Sequence, residues 1–312
     1  MTAPLVASHP AIAGIPLVLG GNVFGMTADE DASFAVLDAF YAAGGRMIDT
    51  ADVYSAWVPG HKGGESETVL GKWFAASGKR AEMRLHTKTG MLGGSELYQP
   101  ARILASLDAS LERLQTDYVD LYYAHRDYQE LAMADIVAAF DGAAKTGRVR
   151  ALGASNFSAA RLTKALDAAE QQGAMPFSVL QNEYNLLVRK AYGADLQDLC
   201  TTRGIPMLPF FGLASGFLTG KYRTEADLGK SVRGAQMGKL IETGQPLLAV
   251  MDDVVRETGA THAQVALAWL RVQPGIGAPI ASATSAAQVQ ELCASATLEL
   301  NAEQLARLSA AA

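Results

Sequence analysis

Apolar positions along this chain follow two alternating rhythms. Short runs rich in β-branched and aromatic residues occupy 16–19, 46–49, 84–88, 119–125, 149–153, 178–181, 207–210 and 278–281. Between them lie longer segments with apolar residues three or four apart, such as Phe34, Leu37, Phe40 and Tyr41, or Leu104, Leu107, Leu111 and Leu114. The short runs read as strands and the 3.6-residue spacing as helices. Their alternation, roughly every 30 residues, is the rhythm of βα units rather than of hairpins. Ser158, Ser285 and Asn301 each stand just ahead of a helical pattern, where an N-cap is expected. Eight parallel strands joined by right-handed crossovers close most simply into a barrel. The expected fold is α/β, a single-domain (β/α)8 TIM barrel over residues 1–312. One stretch breaks the rhythm: 212–245, rich in Gly and Lys, reads as a long loop after strand 7, and loops of that length tend to be functional.

A barrel of this kind builds its active site at the C-terminal ends of its strands. The polar residues that end the runs are Asn22, Asp49, Lys88, His125, Ser155 with Asn156, and Gln181.

Composition narrows the function. With 312 residues, 49% hydrophobic and 19% charged, the chain is globular rather than disordered. Its net charge of −6 and scattered basic residues speak against a nucleic-acid partner. The first Lys or Arg is Arg46, so the apolar N-terminal stretch lacks the charged start of a signal peptide. No apolar run reaches the roughly 18 residues of a membrane span, so no membrane role is expected. Cys200 and Cys293 are far apart and outside any Cys-x-x-Cys pair, which suits a reducing, cytoplasmic compartment. The five histidines, His9, His61, His86, His125 and His262, are dispersed without ligand spacing, and no metal is expected. His61 lies in a Gly-rich loop and reads as solvated. His86 shares the strand face of Lys88 one layer deeper and reads as a core histidine.

The chemistry lies in a convergence. Asp49, Tyr54, Lys88 and His125 stand at the mouths of three successive strands. A tyrosine has an ordinary pKa near 10, so exchanging protons at neutral pH requires a cation to stabilise its anion. Lys88 is the candidate cation, and Asp49 is placed to keep it charged where burial would neutralise it. His125 is suited to polarise a carbonyl oxygen. Such a set is a general acid aimed at a carbonyl, and it needs a hydride donor beside it. A Rossmann fingerprint is absent, because Gly20-Gly21-Asn22-Val23-Phe24-Gly25 breaks the G-x-G-x-x-G spacing. No tyrosine has a lysine four residues later, which excludes the short-chain dehydrogenase pattern.

Six segments then carry a resemblance over most of the length. They are Ile48-Asp49-Thr50-Ala51-Asp52-Val53-Tyr54, Thr87-Lys88-Thr89-Gly90, Tyr118 to Arg126, Leu152-Gly153-Ala154-Ser155-Asn156-Phe157, Gln181-Asn182-Glu183-Tyr184-Asn185 and Leu213 to Tyr222. In this order they resemble an aldo-keto reductase of the bacterial type. The resemblance implies a catalytic tetrad of Asp49, Tyr54, Lys88 and His125, with Tyr54 protonating the carbonyl oxygen. It also implies that Ser155, Asn156 and Gln181 hold the nicotinamide carboxamide, with Asn22 at the same mouth. Phe210 stands where the family stacks a tyrosine on the nicotinamide ring. Phe211, Gly212, Leu213, Ser215, Gly216 and Lys221 resemble the segment that folds over the pyrophosphate. The adenosine end departs from the family pattern: no Lys or Arg lies between Arg271 and Arg307. Ser282, Thr284 and Gln288 at a helix N-terminus, or Lys221, Arg223 or Arg233, are then the groups left for a 2′-phosphate. NADP(H) is the expected cofactor and NAD(H) the alternative. Phe24, Trp57, Met91 and Tyr128 follow strand ends and are expected to line the pocket for a small-molecule carbonyl or alcohol substrate. Two other readings stay open: an alcohol dehydrogenase working mainly in the oxidative direction, and a nucleotide-binding regulatory subunit resembling potassium-channel β subunits.

Overall fold

A computed structural model describes residues 9–230 and 234–311. Seven strands form one sheet: β1 (Val18–Gly20), β2 (Met47–Asp49), β3 (Arg84–Thr89), β4 (Leu121–Ala124), β5 (Leu152–Ser155), β6 (Phe177–Gln181) and β7 (Ile280–Ala281). All neighbours are parallel, in the order β6-β5-β4-β3-β2-β1-β7. The sheet is curled and both of its faces are buried, which suits the apolar residues that dominate most of its strands, with β3 the exception, Leu85 being its one apolar residue. The inward face packs Val18, Met47, Leu121, Tyr123, Val179 and Ile280 on one another, and Ala11 and Ile12 close this cluster from the N-terminal side. His86 lies in that layer, fully buried, with its Nε2 2.8 Å from the Ala11 carbonyl oxygen. The outward face packs Leu19, Ile48, Leu85, Tyr122 and Leu180 in a second, larger cluster with the surrounding helices.

The helices form where the apolar spacing places them, and their starts follow the caps. Ser158 accepts from Arg161 N at the start of the helix Ala159–Gln172, and Ser285 accepts from Gln288 N at the start of Ala286–Ala294. Asn301 and Gln304 form a reciprocal capping box ahead of Ala302–Ala310. No described helix is long and apolar enough to cross a membrane.

Two expectations are corrected. The run at 207–210 is not a regular strand. It lies between β6 and the segment leading to β7 and makes isolated parallel bridges, Met207 with Leu180 and with Ile276, and Phe210 with Glu183. Leu208 N donates to Leu180 O and Ile280 N to Pro209 O, but Pro206, Pro209, Pro274 and Pro279 have no N–H, and the ladder is broken where they fall. The same Pro279 trims β7 to two residues. The stretch 212–245 is also not an open loop. Its described part winds into 3-10 turns at Ala214–Thr219, Glu225–Lys230 and Gly234–Gln236, followed by a short helix Gly238–Thr243.

Candidate active site

The tetrad residues meet at the C-terminal mouth of the sheet. Asp49 ends β2, Lys88 is the penultimate residue of β3, and His125 follows β4 directly. Lys88 is fully buried, and all three of its ammonium protons have acceptors: Asp49 Oδ2 at 2.5 Å, the Thr50 carbonyl at 2.8 Å and the Tyr54 hydroxyl at 3.0 Å. The ammonium also lies 4.7 Å from the centroid of the Tyr54 ring. The His125 ring stands edge-on to Tyr54 with centroids 6.1 Å apart.

Lys88, Tyr54 and His125 are each displaced from their ordinary pKa for a nameable reason. Burial works to neutralise Lys88, but the Asp49 carboxylate and the Tyr54 oxygen outweigh it and hold its pKa above the ordinary lysine value. Burial pushes Tyr54 above its ordinary value. Lys88 opposes that push, and Asp49 adds to it. The expected relief by the lysine is therefore present but is outweighed by desolvation. Burial, reinforced by the charge of Lys88, drives His125 well below the ordinary histidine value, so its imidazole is neutral at pH 7. Its Nδ1 is buried without a hydrogen-bond partner. A neutral imidazole beside a phenol backed by an ammonium is a set of donors for one oxygen atom.

Two features of the site were not expected from the sequence. The first is Glu65, whose carboxylate accepts from the backbone N–H of Ser55, Lys62 and Gly63 and so fastens the turn that carries Tyr54 and Trp57. Gly64, with φ of 86°, donates its N–H to the Tyr54 carbonyl at 2.9 Å, and a Cβ there would come 2.4 Å from Arg113 Nε. The pair Gly63-Gly64 ahead of an acidic residue was the available signal. The second is the side chain of Gln181, which donates to Asp49 Oδ1 at 2.8 Å across the mouth.

The expected cofactor residues are placed as follows. Ser155 ends β5 and accepts from Asn156 Nδ2, which also donates to the His125 carbonyl. Asn156 is exposed and left-handed, with φ of 63°. Ser282 donates to Asn22 Oδ1 at 2.5 Å, joining the ends of β7 and β1. Phe210 is half-buried and Phe211 exposed, their rings edge-on at 5.2 Å. Phe211, Ala214 and Ser215 are all left-handed without being glycine, a cluster of strained backbone typical of ligand clamps. Gly212 is buried against Leu270, and Leu213 is half-buried. The Lys221 ammonium lies over Gly216, 3.4 Å from where a Cβ would sit, and no described carboxylate pairs with it. Arg223 is committed elsewhere, bidentate to Asp252 at 2.6 and 3.0 Å. Gln288 Oε1 is taken by the N–H and hydroxyl of Thr284. Arg233 lies outside the described residues.

Of the expected substrate residues, Phe24 is fully buried in the core. Trp57 is 55% exposed, with its ring 5.8 Å from that of Tyr54, and Met91 is 43% exposed. Tyr128 is half-buried and donates to the Gly90 carbonyl, just beyond β3. Among the described residues no group of three or more His, Cys, Asp or Glu could hold a metal ion.

The sequence matches the Aldo/keto reductase family over residues 16–312. This chain belongs to the aldo/keto reductase family. The reductase is 32% identical over 307 residues to the uncharacterized oxidoreductase YrpG of Bacillus subtilis (strain 168), covering 94% of this chain and 90% of YrpG. It is 30% identical over 275 residues to norsolorinic acid reductase B of Aspergillus parasiticus, covering 82% and 69% of the two chains. It is also 30% identical over 271 residues to the NADP(+) aryl-alcohol dehydrogenase of Phanerodontia chrysosporium, covering 79% and 67%. As an aldo/keto reductase it is an oxidoreductase acting on carbonyl or alcohol groups, in a family that uses nicotinamide nucleotides.

Proposed function

We propose that this (β/α)8 reductase acts on an aryl aldehyde or ketone in the cytoplasm, with NADP(H) preferred to NAD(H) and Tyr54 as the general acid. The observation that carries the reading is the Lys88 ammonium, held by Asp49 and donating to the Tyr54 hydroxyl. Because the phenol oxygen accepts from lysine, its own proton is free to be donated to a carbonyl oxygen. Lys88 then stabilises the phenolate left behind, and neutral His125 offers an N–H to the same oxygen. When bound, the reduced nicotinamide supplies the hydride. In the reverse direction the Tyr54 phenolate accepts the alcohol proton.

The residues around the mouth fit the dinucleotide. Ser155, Asn156 and Gln181 offer the mixed donors and acceptors an amide requires, and Gly216, in the segment where Phe211, Ala214 and Ser215 are also left-handed, lies against the Lys221 ammonium, which has no carboxylate partner among the described residues. Of Lys221 and Arg223, the described cations expected for a 2′-phosphate, Arg223 is held by Asp252 and Lys221 has no described carboxylate partner, and NADP(H) is preferred on the reading that Lys221 meets the 2′-phosphate rather than the pyrophosphate common to both nucleotides. The aryl preference rests on the rim. Of the five large hydrophobic side chains exposed among the described residues, Trp57, Met91 and Leu92 stand on segments that follow β2 and β3, Phe211 follows the bridged run 207–210, and Val272 lies elsewhere. The names of two relatives, an aryl-alcohol dehydrogenase and a norsolorinic acid reductase, agree with it.

The test is a fluorescence titration of the protein with NADPH and NADH side by side, followed by 4-nitrobenzaldehyde while the reduced-nicotinamide absorbance is recorded. Tighter NADPH binding and loss of that absorbance are expected. Binding without turnover would replace the reading with a regulatory role, and no binding of either nucleotide would end it.

A further inference from the structure

Asp49 has two carboxylate oxygens, and each has its own donor. Oδ2 accepts from Lys88 at 2.5 Å, and Oδ1 accepts from Gln181 Nε2 at 2.8 Å. The two donors come from opposite parts of the sheet: Lys88 from β3, beside Asp49, and Gln181 from the end of β6, 132 positions away in the chain. Asp49 is 2% exposed and Gln181 also 2%, so water has little access to either oxygen. A buried carboxylate with one donor on each oxygen cannot rotate without losing a bond. The Lys88 ammonium is equally constrained, because Asp49 Oδ2, Thr50 O and Tyr54 account for its three protons.

We propose that Gln181 is a positioning residue for proton transfer: its amide fixes the Asp49 carboxylate so that Lys88 donates only one hydrogen bond to that carboxylate and keeps another on the Tyr54 hydroxyl. A neutral amide suits this task. A second cation at the site would compete with Lys88 for Asp49, and an apolar side chain would leave Oδ1 buried and empty, turning the carboxylate so that both oxygens draw on the lysine. Either change pulls the ammonium away from Tyr54 and removes the interaction that opposes the upward push of burial on its pKa. The effect goes beyond holding a carboxamide, since it acts through Asp49 and Lys88 whether or not a nucleotide is bound. Backbone pairing ties the same residue to its neighbour, because Asn156 N donates to the Gln181 carbonyl at 3.1 Å. A fold that keeps Asn156 in place therefore keeps the Gln181 main chain in place, and the variants test the side chain alone.

This inference rests on Tyr54 acting as the proposed acid, and the experiment separates the two. Gln181→Met keeps length and removes the donor, and Gln181→Glu keeps length and sets a second carboxylate against Asp49. In both, kcat for 4-nitrobenzaldehyde at saturating NADPH is expected to fall at least tenfold, and the alkaline limb of its pH profile to move up by about one pH unit. Without any nucleotide, the Lys88 ammonium is expected to give a protected 1H–15N resonance, identified by its loss in Lys88→Met, that is lost or shifted in both variants. A raised KM for NADPH with a superimposable kcat profile and an unmoved ammonium resonance would show that Gln181 only grips the nucleotide, and would overturn the proposal. Should one variant not fold, the other decides by the same readouts. Full turnover in Tyr54→Phe would instead strike at the proposed acid, whatever the Gln181 variants do.

Discussion

The Tyr54 hydroxyl accepts a hydrogen bond from Lys88 at 3.0 Å, and the proton it carries has no acceptor among the described residues. Removing the hydroxyl leaves the ring, its edge-on contacts with Trp57 and His125, and the residues proposed to hold the nucleotide in place. In Tyr54→Phe, kcat is expected to fall by about 10²–10⁴-fold while the NADPH dissociation constant stays within about twofold. Stopped-flow turnover and fluorescence titration check this together; near-normal turnover would take Tyr54 out of the chemistry.

Lys88 has a structural role as well as a chemical one. Replacing it with Met leaves Asp49 buried with Gln181 as its remaining side-chain donor, and a buried charge stripped of its partner typically costs about 3–5 kcal/mol. Lys88→Met is therefore expected to lower stability by that order in urea denaturation. The double variant Asp49→Asn with Lys88→Met is expected to regain much of the loss and none of the activity. A double variant no more stable than Lys88→Met would show that the ion pair is not the cause.

Asp52 predicts a pH dependence of stability. It is 3% exposed, its Oδ2 accepts from Thr89 at 2.6 Å, and its Oδ1 is buried without a partner. Burial pushes its pKa up to about 7, Thr89 works against the push, and Glu67 adds to it. The folded protein thus holds a proton that the unfolded chain releases near pH 4. The stabilisation from this group is full below pH 4 and is lost as pH rises to about 7. Asn cannot ionise, so the stability of Asp52→Asn relative to the parent should rise between pH 4 and pH 8, by about 4 kcal/mol at most. A difference that stays flat over that range in urea melts would refute the assignment.

Gly64 combines a left-handed φ with a site where a Cβ meets Arg113 at 2.4 Å. Arg113 pairs with the fully buried Glu67, which Thr87 of β3 also contacts. Gly64→Ala is expected to destabilise the fold by about 2–4 kcal/mol. It should also lower kcat in the folded fraction, because the Gly64 N–H holds the Tyr54 carbonyl. Thermal melts and single-turnover rates read the two effects separately, and an unchanged Tm would contradict the first.

Much of this arrangement was legible in the chain, for physical reasons that also explain the gaps. Strands buried on both faces are rich in apolar residues, so the runs leading into Asp49 and Gln181 announce themselves and the polar residue that ends each marks the mouth, whereas β3 reaches Lys88 through Arg84, His86 and Thr87 and is told mainly by its place in the rhythm. Ser158, Ser285 and Asn301 were readable because capping is local. The run at 207–210 misled because hydrophobicity outweighed the prolines at 206 and 209, although each proline removes a ladder donor. Phe24 followed a strand end like Trp57, yet one is fully buried and the other 55% exposed, because a loop's path decides which side its residues face. The bond between Gln181 and Asp49 joins residues on distant strands, and no local pattern encodes such a pair.

The prolines that interrupt the ladder have a dynamic consequence. From β2 to β5 the strands are joined by continuous registers, and the acid, its lysine and the histidine hang from that arc. Between β6 and β7 the wall is held by isolated bridges around Met207 and by a strand of two residues. Phe210, Phe211 and Ser282 belong to this seam. Amide protons there should exchange with solvent sooner than those of β3 and β4, as the wall breathes open at its poorest-paired line. A dinucleotide gripping residues on both sides would slow that exchange, so the molecule that brings the hydride would also brace this seam.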